Sequence, residues 1–77
     1  VVGAADRIVE IVLDADVDAA AVAPAAWALA AKGFATVVLV ALERLGEAHE
    51  GLRGTPCHLQ GWWVSGDRVA FGAFETA

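Results

Sequence analysis

The stretch FATVVLVALERLGEAHEGL, Phe34 to Leu52, decides the fold, and it supports two readings. By propensity, Thr36-Val37-Val38-Leu39-Val40 is a strand, because β-branched side chains suit a pleated, half-buried surface. By periodicity, Phe34, Val38, Ala41, Leu45, Ala48 and Leu52 recur at alternating intervals of four and three. Val37, Leu42 and His49 widen that stripe, and Glu43, Arg44, Glu47 and Glu50 fall off it. Such a stripe, sustained this long, marks an amphipathic helix. Weighting period over propensity predicts a helix over about 35–52, with a strand over 35–42 as the competing reading.

Toward the N-terminus, Asp14, Asp16 and Asp18 precede an alanine-rich run. Aspartate suits a helix entry, where it accepts from free backbone N–H groups and meets the positive end of the dipole. Pro24 is comfortable only at a first turn. The helix therefore starts at Pro24 after a short turn over Ala19–Ala23, or it kinks there. Gly33 is placed to stop it. Further back, Arg7 to Leu13 has strand character, with Val9, Ile11 and Leu13 alternating against Glu10 and Val12. Val1 and Val2 form a first strand, and Gly3-Ala4-Ala5-Asp6 a turn into the second.

Toward the C-terminus, Gly54-Thr55-Pro56 ends the helical region. Cys57–Ser65 and Arg68–Glu75 then form a hairpin around Gly66-Asp67, a two-residue turn signal. A two-residue turn sets the pairing. Val64 faces Val69, Trp63 faces Ala70, Trp62 faces Phe71, Gly61 faces Gly72, and Leu59 faces Phe74. Because side chains alternate, Cys57, Leu59, Gly61, Trp63, Ala70, Gly72 and Phe74 share one apolar face. Its glycine pair makes a saddle that a helix can approach, so it is expected to face the core. The other face holds Trp62, Val64, Val69 and Phe71, with His58, Gln60 and Glu75 beyond them. The fold class expected is α+β: a small antiparallel sheet of three or four strands against a long or broken alanine-rich helical segment, one domain over 1–77.

Composition limits the function. The chain has 77 residues, a net charge of −5 and one cysteine, Cys57. The charge and the lack of a basic stripe argue against nucleic acid and anionic membrane surfaces. Ala19–Leu42 has the length of a membrane span, but alanine, Pro24, Lys32 and Gly33 weaken that reading. No basic leader precedes an apolar run, so a soluble, cytoplasmic protein is expected. The chain begins at Val1 and lacks methionine, as expected of a processed, tag-cleaved or partly observed product, and whether an N-terminal element is missing is left open by the sequence. Hydrophobic residues make up 58% of the chain, more than the roughly 45–50% of an ordinary domain. A domain this small exposes part of that excess, and exposed apolar patches mark interfaces.

Catalytic patterns are sparse. Cys57 and His58 are the only candidate nucleophile and base, yet strand neighbours point to opposite faces. No zinc-ligand spacing, calcium loop or glycine-rich phosphate loop occurs. No metal or cofactor is expected, and no catalytic residue is assigned. The residues expected to carry function are Trp62, Phe71, Val64 and Val69. Three covers suit that face: a helix of the same chain, a partner chain, or a flat ligand stacked on Trp62.

Some features are shared with a known family. These are the turn Ala4-Ala5-Asp6-Arg7, the strand Ile8–Leu13, the acidic entry Asp16-Val17-Asp18 and an alanine-rich helix ending Leu42-Glu43-Arg44-Leu45-Gly46. Two final strands around Gly66-Asp67 complete the set. In this order the chain resembles the roadblock family of dynein light chains and their bacterial relatives. The resemblance implies a homodimeric, non-enzymatic regulatory platform that binds small GTPases and other regulators. The strand–helix–strand–strand order is also similar to that of dodecins, small flavin-storing oligomers. The function expected is therefore protein–protein interaction and dimerisation. The alternatives are a flavin-like ligand held at Trp62, or a small enzyme using Cys57 and His58.

Overall fold

The Phe34–Leu52 stretch divides in two. In the computed structural model, which describes residues 2–5 and 7–77, Ala35–Ala41 is a strand, not the first half of a helix. Helix follows only as a short 3-10 turn, Leu42–Arg44, and a helix, Leu45–Gly51. The helical stripe was real over its second half, since Ala48 and Leu52 are fully buried. Over 34–41 it was a coincidence of composition. Thr36, Val37, Val38, Leu39 and Val40 are all buried. A strand apolar on both faces matches any period.

Each boundary has a local cause. The elements are β1 (Val2–Ala5), β2 (Ile8–Val12), a 3-10 turn (Ala19–Val22), α1 (Ala23–Ala31), β3 (Ala35–Ala41), α2 (Leu45–Gly51), β4 (His58–Ser65) and β5 (Arg68–Thr76). Asp18 caps the 3-10 turn, accepting at Oδ1 from the Ala20 N–H at 3.1 Å. Pro24 sits in the first turn of α1, where its missing N–H costs no bond. The alanine-rich segment is thus broken at Pro24, as its sequence implies. Gly33, at φ +84°, closes α1. Its N–H donates to Ala30 O and the Phe34 N–H to Leu29 O, the paired bonds of a Schellman cap.

The class is α+β, but the sheet is mixed rather than antiparallel, with five strands in the order β1-β2-β3-β4-β5. β1/β2 and β4/β5 are antiparallel, while β2/β3 and β3/β4 are parallel. Reading β3 as a helix removed the strand that makes two parallel crossovers possible. At the N-terminus, Gly3, Ala4 and Ala5 belong to the strand rather than the turn. Val1 and Asp6, assigned above to strand and turn, lie outside the described residues. Arg7, at φ 74°, helps reverse the chain.

The final hairpin keeps its expected register from the turn as far as Trp62↔Phe71, then shifts. Gln60 pairs with Phe74 and Leu59 with Glu75, so Gly72 and Ala73 of β5 together lie opposite Gly61. This bulge overturns the expected Gly61–Gly72 and Leu59–Phe74 pairs and sends Phe74 to the other face. The Gln60 amide donates to Gly72 O at 2.9 Å, satisfying a carbonyl at the irregularity.

All helical elements pack on one face. Ala19, Val22, Ala26, Ala48 and Leu52 form a core with Leu13, Val38, Val40, Cys57 and Leu59. The saddle reading holds at Gly61. A β-carbon there would stand 3.1 Å from Leu42 Cδ1 and 3.6 Å from Leu45 Cδ2. Arg44 ties the loop after β2 to this layer, donating to Asp14 O at 3.0 Å, Val17 O at 2.6 Å and Glu47 at 2.8 Å. Among the described residues no helix is long and apolar enough to cross a membrane.

Candidate functional site

The opposite face of the sheet is the candidate site. Parallel pairing aligns Glu10, Val37 and His58 in one row, and Val12, Leu39 and Gln60 in the next. Ala41 and Trp62 follow, with Trp62 paired to Phe71 and Val64 to Val69. Alternation along each strand keeps these side chains on the side away from the core.

All four sequence-assigned residues, Trp62, Val64, Val69 and Phe71, therefore lie together on this face. Val64 is 64% exposed, Val69 55% and Phe71 54%, while Trp62 is half-buried. The bulge adds Phe74, 64% exposed, and β2 adds Ile8, 45% exposed. Val37 and Leu39 form the buried floor. A depression of about 350 Å³ runs between Ile8 and Glu10 on one side and Phe71 and Phe74 on the other, floored by Val37 and Gln60. A second, of about 260 Å³, is bounded by Val12, Leu39, Trp62, Val69 and Phe71. The Trp62 Nε1–H lies buried without an acceptor, an unmade bond in an otherwise apolar setting.

Only half of this site was legible. Ile8, Val12, Val37 and Leu39 join it through parallel pairing, which a helix over 35–52 hid. Phe74 was placed on the wrong face because Gly72 was read as half of a glycine saddle, whereas a glycine inside a strand is equally a bulge signal. Trp63 was assigned to the core face, where it does lie. Its ring stands against Gly72, with Cζ3 3.7 Å from where a β-carbon on that glycine would sit, yet it remains 37% exposed. Trp27, 58% exposed on α1, was not singled out at all.

The Cys57–His58 pair does not assemble. Cys57 is buried in the core, and burial pushes its thiol up from the ordinary range, away from the reactive thiolate. His58 is exposed on the opposite face, its ring centroid 6.5 Å from that of Phe74. His49 instead meets Glu75 at 2.7 Å. A hollow of about 350 Å³ beside Cys57 includes Thr36 and Thr55. Thr36 Oγ1 is buried there without a partner. Among the described residues no group of three or more histidine, cysteine, aspartate or glutamate side chains is placed to hold a metal ion.

The arrangement is one of shape and apolar area, and among the described residues no acid, base and nucleophile converge on it. No protein-family model matches the chain, and no curated protein or solved structure matches it significantly.

Proposed function

We propose that this protein is a non-catalytic interaction module that pairs with a second copy of itself through the uncovered sheet face. The observation that carries the reading is the helix-free side of parallel strands β2, β3 and β4. Parallel sheets are normally covered on both faces, and their strands are correspondingly apolar throughout. Here the apolar character is present on both faces and the cover on one.

The size of the face supports the same reading. Four strands about 4.8 Å apart, each near seven residues at about 3.3 Å, give a footprint of about 450 Å². Two copies bury about twice that, before the projecting Phe71 and Phe74 are counted. This approaches the ~1,000–1,200 Å² at the lower end of specific interfaces. A two-fold dimer covers one such face with its equal.

Sedimentation and light scattering across a concentration series test this. Wild type is expected to dimerise, and Phe71→Glu and Trp62→Ser to be folded monomers. A wild type that stays monomeric throughout defeats the reading.

The 260 Å³ depression beside Trp62 favours a second reading, a flat ligand stacked against its ring. Flavin added to the protein would then quench tryptophan fluorescence, and Trp62→Phe would lower the affinity. The regulatory role and small-GTPase partner rest on the roadblock resemblance. Competition between a GTPase and self-association would test them.

A further inference from the structure

We infer that the two copies stack with their strands parallel, about a two-fold axis running along β3, so that Glu10 of each copy meets His58 of the other. This rests on the pairing through the open face proposed above and adds its geometry.

From β2 to β5 that face carries one carboxylate, Glu10, and one imidazole, His58. The register sets them in a single row, Glu10–Val37–His58, one on each side of β3. The other nearby charges are occupied or turned away. Glu75 is paired with Leu59, on the helix side, and bonded to His49. Arg68 is paired with Ser65, also on that side.

Two sheets whose strands stay aligned can face each other isologously in two ways. An axis across the strands lays β2 over β2, which brings Glu10 against its own copy or against apolar side chains. A buried carboxylate without a partner is costly, and like charges repel. An axis along β3 exchanges β2 with β4 and keeps the rows. Glu10 then lies over His58 twice, once on each side of the axis. Face-packed sheets stand about 10 Å apart, a gap that a glutamate and an imidazole span together.

The relief of the face agrees. Phe71 and Phe74 form a ridge on one side of the 350 Å³ depression, and Ile8 and Glu10 bound the other. Rotation about β3 keeps the rows, so the second copy's Glu10 lies over His58 and its Val12 over Gln60, beside Phe74.

The experiment is a charge-reversal pair, measured by sedimentation, with circular dichroism confirming that each variant is folded. Both positions are exposed, so both substitutions spare the core. Glu10→Lys sets Lys against His58, and His58→Glu sets Glu against Glu10. Each variant alone is expected to dimerise at least about tenfold more weakly than wild type. Mixed one to one, they form a heterodimer with one native and one reversed pair. Dimers are expected in the mixture at concentrations where each variant alone is monomeric. If both variants dimerise like wild type and mixing shows no preference, the stacking is overturned. A dimer tightened by Glu10→Gln would mean that Glu10 meets itself, and overturns it too. In both cases loss of the dimer in Phe71→Glu leaves the open-face reading intact. A monomeric wild type removes both.

Discussion

On one face of the sheet, Val38, Val40 and Leu59 are fully buried beneath Ala26, Ala48 and Leu52. On the other face of the same sheet, Trp62, Val64, Phe71 and Phe74 lie outside that core. Large apolar side chains stand on both sides. What differs is whether this chain supplies the cover. Both crossovers, α1 between β2 and β3 and α2 between β3 and β4, lie on the same side. Consecutive right-handed parallel crossovers in one direction place their helices together. The open face follows from topology and not from hydrophilicity.

The largest expected effect tests the covered face. Leu59→Ala or Leu52→Ala empties a fully buried site and should cost about 2–5 kcal/mol, read as a shifted denaturation midpoint. A loss below about 1 kcal/mol would mean that the helix layer is not the core described. Next, Gly61→Val places atoms against Leu42 and Leu45. Overpacking of this kind typically costs about 1–3 kcal/mol. Gly72→Ala, whose β-carbon would find only ordinary contacts at 3.7–3.8 Å, should be tolerated, and the pair separates saddle from bulge.

On the open face the expectation reverses. Phe71→Glu should change the stability of the folded monomer by less than about 0.5 kcal/mol, yet abolish association. If the substitution unfolds the protein at every concentration, the two faces are not distinct in kind. The smallest effect concerns Cys57. Its thiol is raised on folding by burial, so its contribution to stability is full below the ordinary thiol range. That contribution is lost as pH climbs through the unfolded value toward the folded one. The denaturation midpoint should decline slightly as pH rises above the ordinary thiol range, about 8.5, and Cys57→Ala should flatten the decline. Labelling of the thiol by iodoacetamide should stay slow in the folded protein.

Local chemistry was legible wherever a residue acts on its own neighbours. Asp18 as a cap, Pro24 in a first turn, Gly33 as a stop and Gly66-Asp67 as a hairpin turn each work within a few residues. Their outcomes needed no knowledge of the rest of the chain. The clustering of Trp62, Val64, Val69 and Phe71 was readable for the same reason, because a two-residue turn sets pairing over the first few positions. Beyond Trp62 the bulge took over, and Phe74 changed faces.

The sequence by itself therefore determined the α+β class, the capped and broken alanine-rich segment, and an apolar hairpin face centred on Trp62 and Phe71. Only the tertiary structure decided that Ala35–Ala41 is a strand, that the sheet is mixed, and that β2 and β3 extend the hairpin face. The physical reason is that an apolar run such as Thr36–Val40 satisfies a helix and a strand apolar on both faces equally well. Its backbone bonds go to itself in one case and to Ile8–Val12 and His58–Trp62 in the other. That choice rests with partners far along the chain, which no local pattern records.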